Sequence, residues 1–251
     1  MSTVLVVGAT GSIGRLAVAA ALDAGYDTKA LVRNESQADS FPPRASVVVG
    51  DLTTADTLHA AVAGVTGIVF TQGSHGDARQ AELVDYGAVR NILSVLAAPA
   101  RIALMTAIGV TKHTAGHDWK RRGERLVRAS GLPYTIVRPG WFDYNAPDQN
   151  RPVMLQGDTR WASDPSDGVV SRVQIAQILI ASLTSDAADR KTLELVAEKG
   201  TAPADLDPLF AALRADPATA LDAVLDRDNM PLAEEPGAVV ADLGAVRGRW
   251  A

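Results

Sequence analysis

The stretch "VLVVGATGSIGRLAVAAAL", residues 4–22, decides how this chain is read. An apolar run meets Gly8, Gly11 and Gly14 and then takes on helical spacing. A strand without polar alternation is one buried on both faces, as in a parallel sheet covered by helices. The first glycine permits a sharp turn through positive φ. The second lets a pyrophosphate approach the backbone, and the third lets the helix pack close to the strand. Free N–H groups at the helix start, with the helix dipole, favour an anion there. Thr10 and Ser12 add hydroxyl donors, and Ile13 lies in the same turn. A strand, this glycine spacing and a helix in that order predict a dinucleotide held at the turn.

Outward from the turn the alternation repeats. Strands are expected at 3–7, 27–33, 45–51, 66–73, 101–109, 133–140 and 191–198. Helices are expected at 12–25, 53–64, 78–98, 118–131 and 169–185, with Gly25 and Gly131 at C-caps and Pro99 as a stop. This predicts the α/β class: a Rossmann-like, doubly wound parallel sheet forming one domain over 1–251. Segment 141–168 is rich in Pro, Asp, Asn and Gly. With 199–251, where two short helices are expected in 204–229, it is expected to form a small C-terminal substrate lobe or lid. The leucines of that tail show only that one face is buried, so a lobe cap and a homodimer interface both fit.

Composition limits the partners. Of 251 residues 47% are hydrophobic and 21% charged, and the net charge is -5. That balance argues against nucleic acid, which needs a basic face. The chain has no cysteine, which removes disulfides and thiolate chemistry. No histidine spacing suggests a metal site. No run reaches the roughly 18 apolar residues of a membrane span. The opening "MSTVLVVG" lacks the basic region of a signal peptide, so a cytoplasmic location is expected.

The second strand bears on which dinucleotide is held. An NAD site usually places an acidic residue there, roughly 20 residues on, for the ribose 2′-hydroxyl. Here "ALVRN" supplies Arg33 instead. A guanidinium fits a 2′-phosphate through paired charge-assisted bonds, so NADP(H) is expected over NAD(H). Arg15, next to Gly14, can help from the other side. Asp51 and Leu52, after the third strand, fall near the adenine by topology. Thr71, Gln72 and Gly73, closing the fourth strand, complete the expected cofactor wall.

Taken together, "GATGSIG", "LVRN", "GDL", "SGLPYTIVRPGWF" and "SR" before a helix resemble the short-chain dehydrogenase/reductase superfamily. The match is to its atypical branch of NmrA-like proteins and NAD(P)H-dependent reductases of the biliverdin and flavin reductase type. It spans roughly residues 3 to 198. The resemblance implies nicotinamide in the cleft and chemistry by a serine, a tyrosine and a lysine, the last two as Y-x-x-x-K. Lys120 matches the lysine, which holds the nicotinamide ribose. Gly116 stands where the tyrosine belongs, and Thr106 stands near the serine position. Pro139, Gly140 and Trp141 match the turn that edges the cofactor.

Glycine cannot donate a proton. Hydride transfer to a flavin- or quinone-like acceptor, a histidine donor, or nucleotide sensing without turnover are the ways out. His75, after the fourth strand, and His113 or His117, before the helix of Lys120, are the histidine candidates. Lys120 equally fits a basic, solvated face "WKRRGERLVR", paired with Glu124 at i+4. Trp141, Phe142, Tyr144 and Trp161 can line a pocket for a planar acceptor or seal the core beneath the loop. The expected function is an NADP(H)-dependent oxidoreductase acting on a small carbonyl, quinone or flavin-like acceptor, with Thr106, Lys120 and His75 as catalytic candidates. An NmrA-like NADP(H) sensor is the alternative, and a nucleotide-sugar epimerase or dehydratase a weaker one.

Overall fold

A computed structural model describes residues 2–74 and 77–250; His75 lies outside the described residues. Eight strands form one sheet: β1 (Thr3–Val7), β2 (Asp27–Val32), β3 (Ser46–Val49), β4 (Gly67–Phe70), β5 (Arg101–Met105), β6 (Tyr134–Pro139), β8 (Arg151–Leu155) and β10 (Lys191–Glu198). Their order is β3-β2-β1-β4-β5-β6-β10-β8. All neighbours run parallel except β8, which pairs antiparallel with β10 at the edge. The short strands β7 (Trp141–Phe142) and β9 (Val169–Val170) form a separate parallel pair.

Strand alternation sorts the core into two layers. Val4 and Val6 join the cluster under α1 (Ser12–Asp23) and α6 (Arg172–Ser182). Leu5 and Val7 join the cluster under α4 (Gly87–Val95), α5 (Ala115–Ser130) and α8 (Gly237–Val246). Both faces are therefore covered, as the unalternating apolar run of β1 requires. The helices α2 (His59–Val62), α3 (Ala78–Gln80) and α7 (Asp207–Ala211) are short. The expected helix over 78–98 is split by a π-helical turn at Ala81–Tyr86 and ends at Val95, before Pro99. The expected helix over 169–185 starts only at Arg172. Ser171 and Gln174 close a capping box there, and Val169–Val170 is drawn into β9.

The tail departs furthest from the expectation. Within 204–229 only α7 is an α-helix, and α8 forms beyond it. Segment 216–235 is held by ionic bonds to α5. Asp216 takes Arg128, Asp222 takes both Arg121 and Arg125, and Glu235 takes Arg122 and Arg125. The face "WKRRGERLVR" is therefore not solvated: Arg121, Arg125 and Arg128 are buried. Glu124 pairs with Arg128 and Arg138 rather than with Lys120. Val239, Leu243 and Val246 of α8 complete the apolar layer over α4 and α5.

Candidate functional site: a nucleotide cradle beside an aromatic cavity

At Gly8 the backbone adopts φ +80, and a Cβ there would fall 2.6 Å from the Gln72 amide nitrogen. A Cβ on Gly14 would fall 2.1 Å from the Gly8 carbonyl oxygen. The first and third glycines are thus required by contact between β1, β4 and α1. Gly11 serves as N-cap of α1 in extended conformation, with no side chain capping the first amides. Those amides are left for an anion.

The turn forms one end of a cavity of about 510 Å³. Gly8, Thr10, Gly11, Ser12 and Ile13 line it from the turn. Arg33 lines it from the end of β2, Asp51 and Leu52 from beyond β3, and Thr71, Gln72 and Gly73 from beyond β4. Gly14 lies beneath, buried against the turn. The Arg33 guanidinium has no hydrogen-bond partner among the described residues and faces the cavity. Hydrogen bonds from the Thr53 amide and hydroxyl, 2.9 and 2.8 Å, hold the Asp51 carboxyl below its usual range, and the Arg33 charge adds to this. Gln72 Oε1 is buried with no partner. An open glycine cradle, a free guanidinium and an orphaned acceptor fit a dinucleotide.

Arg15 points elsewhere. Its Nε donates to the Thr10 carbonyl and its Nη1 to the Ser40 carbonyl, and it stacks over Phe41. Arg172, which sequence reading did not single out, does line the cavity. Its only signal was the "SR" preceding a helix.

A second cavity, also about 510 Å³, opens beside the first, and Phe142 lines both. Its walls include Pro139 at the end of β6, Gly140 and Trp141 after it, and Trp161 from the segment beyond β8. Gly140 belongs there because a Cβ would fall 2.4 Å from the Gly168 carbonyl. Asp158, fully buried, accepts the amides of Gly109 and Thr111 at 2.6 Å each and so shapes the floor after β5. Sequence reading missed Asp158, whose partners lie nearly 50 residues away. Lys112 donates to the Trp161 carbonyl at 2.9 Å, and His117 also lines this cavity. His117 Nδ1 lies 3.2 Å from the Lys112 carbonyl. An acceptor there assigns the proton to Nδ1, leaving Nε2 without a protein partner among the described residues. His113 is instead bound to Asp118 and the Asn229 carbonyl, which raise its pKa, and it lines neither cavity.

The expected catalytic pair is engaged elsewhere. The Thr106 hydroxyl donates to buried Glu124 at 2.7 Å and lines neither cavity; its neighbour Met105 faces the nucleotide side. Strand alternation is the reason. Lys120 Nζ donates to Asp85 Oδ1 at 2.6 Å. Asp85, in the π-helical turn, also accepts the Ser74 amide and hydroxyl, and Ser74 lines the nucleotide cavity. Lys120 is thus linked to that cavity by hydrogen bonds through Asp85 and Ser74. No residue of 199–250 lines either cavity: segment 216–246 lies over α5, and α7 packs through Phe210 into the core layer under α1 and α6. Among the described residues no group is arranged to hold a metal, and no helix is long and apolar enough to cross a membrane.

These features define a Rossmann-like, dinucleotide-binding α/β protein. The chain belongs to the NAD(P)H-binding family, whose model matches residues 8–186. It is 27% identical over 240 residues to the chloroplastic protein TIC 62 of Pisum sativum, covering 80% of this chain and 43% of that one. The chain therefore spans less than half of that relative's length. It is 29% identical over 206 residues to the uncharacterized sugar epimerase YhfK of Bacillus subtilis, covering 76% of this chain and 92% of YhfK. Among solved structures, ChuY, an anaerobillin reductase from Escherichia coli O157:H7, superposes with a TM-score of 0.62 at 20% identity. That match covers 81% of this chain and all of the other, and bears on the fold.

Proposed function

We propose that the chain is an NADP(H)-dependent reductase acting on a small, planar carbonyl, quinone or flavin-like acceptor. The observation that carries this is the meeting of the two cavities at Phe142, a polar cradle on one side and an aromatic chamber on the other. A cavity of that size suits a small ligand, and its rings suit a flat one. In this reading NADPH supplies the hydride when bound. Arg33 recognises the 2′-phosphate, the glycine turn holds the diphosphate, and Pro139 and Gly140 present backbone at the boundary. As the imidazolium, His117 gives from Nε2 the proton that a tyrosine would otherwise supply and returns to the neutral ring with its proton on Nδ1. The setting is cytoplasmic.

One observation favours a second reading, an NADP(H) sensor. A Cβ at Gly116 would meet nothing within 4 Å, and both Thr106 and Lys120 are committed to internal bonds. The test is NADPH oxidation against flavins, quinones, aldehydes and ketones, with NADPH affinity measured in parallel. Turnover on one class, reduced about 100-fold or more in His117→Gln, supports the reductase and its proton donor. Tight NADPH binding with no oxidation across the panel overturns it in favour of the sensor.

A further inference from the structure

We infer that Arg172 is a second cofactor-binding cation: its guanidinium takes the dinucleotide's diphosphate at the glycine turn. The inference rests on the reading of the cradle as a dinucleotide site. Arg172 begins α6, which packs beside α1 on the same face of the sheet. Its Nε donates to Ser12 Oγ at 3.0 Å, and Ser12 is the first residue of α1. Because Ser12 Oγ accepts that bond, its own proton is free to donate to an anion. Nη1 pairs with Asp143, and Nη2 has no partner among the described residues. The guanidinium also stacks over the Phe142 ring, 5.3 Å from its centre. Asp143 holds the left-handed conformation, φ +58, and accepts the Arg172 amide, so the pair is fixed from both ends.

The division of labour is geometric. Among the residues lining the nucleotide cavity, Arg33 and Arg172 are the two arginines. Arg33 follows β2, where the adenosine ribose lies in such folds, whereas Arg172 touches the turn that receives the diphosphate. Nη2, left open beside the free helix amides, suits a phosphate oxygen. Through Phe142 the same side chain borders the acceptor cavity.

The experiment titrates wild type, Arg172→Ala, Arg172→Lys and Arg33→Ala with NADPH, NADH, ADP and adenosine 2′-monophosphate, with melting temperatures recorded alongside. Arg172→Ala is expected to weaken NADPH, NADH and ADP alike, by about 10- to 100-fold, and to leave adenosine 2′-monophosphate unchanged. Arg172→Lys restores part of the loss, since it keeps the charge without the fork. Arg33→Ala shows the converse pattern, losing NADPH and adenosine 2′-monophosphate only. Unchanged ADP affinity in Arg172→Ala, beside intact wild-type binding, overturns the role of Arg172 alone. An equal loss for all four ligands overturns it too, as a collapse of the site. A wild type that binds neither NADPH nor NADH overturns the dinucleotide reading and this role with it.

Discussion

Glu194 on β10 stands beside Arg138 on β6 in the parallel register, 3.5 Å from its guanidinium. The contact has the form of a buried ion pair, but burial opposes ionisation. Arg138 gives Nε and Nη2 to Glu124, and Nη1 and Nη2 to Asp226. Arg128 faces Glu124 and Asp216. Two guanidinium groups thus already serve three carboxylates. Glu194 Oε1 is buried with no hydrogen-bond partner. Burial pushes its carboxyl from an ordinary 4.5 up to about 8; the Arg138 charge and the Asp158 amide offset part of the rise, and the Asp158 and Asp226 charges add to it. The perturbation is Glu194→Gln. Below the ordinary value both folded and unfolded chains hold the proton, and the group adds no pH dependence. Between 4.5 and about 8 the unfolded chain releases it while the folded chain keeps it, so rising pH costs the wild type stability. At about 1.4 kcal/mol per unit, the whole window amounts to about 5 kcal/mol. Urea unfolding of both proteins from pH 5 to 9 measures this. Taking the difference cancels the other titrating groups. The stability of Glu194→Gln relative to wild type should grow by about 3 to 4 kcal/mol between pH 5 and 8 and then level off. A difference independent of pH would refute the reasoning, because Glu194 would then be ionised in the fold.

Three further outcomes follow from the same geometry. Arg33→Ala should lower NADPH affinity by about 10- to 100-fold and leave NADH unchanged, as read by titration; an unaltered ratio rules out selection by Arg33. Gly14→Ala should abolish nucleotide binding and lower the melting temperature, since its Cβ would sit 2.1 Å from the Gly8 carbonyl. Wild-type affinity in that variant would mean the turn yields easily. Asp222→Ala leaves Arg121 and Arg125 short of a partner. It should cost about 3 kcal/mol in denaturant unfolding and expose the tail to protease; an unchanged midpoint would show that Glu235 and Asn229 suffice.

The sequence determined what local geometry can dictate. The glycine turn is legible because its constraints lie within a few residues: the Cβ that Gly14 lacks would strike Gly8. The parallel sheet is legible because a strand covered on both faces cannot alternate, and β1 does not. Arg33 is legible because the end of β2 sits at a fixed remove from the turn. Tertiary structure alone decided where the charges went. The arginines of α5 read as a solvated face because their carboxylates arrive from far along the chain: Asp216 is 88 residues from Arg128, and Glu235 is 110 from Arg125. Ser12 and Arg172, 160 residues apart, meet only when α6 packs beside α1. Thr106 and Lys120 sit at the positions the resemblance assigns, yet Glu124 and Asp85 claim them. The physical reason is common to all of these. Helix and strand patterns report which face is apolar, but a buried charge is held only by partners that desolvate with it, and those are chosen by the folded chain.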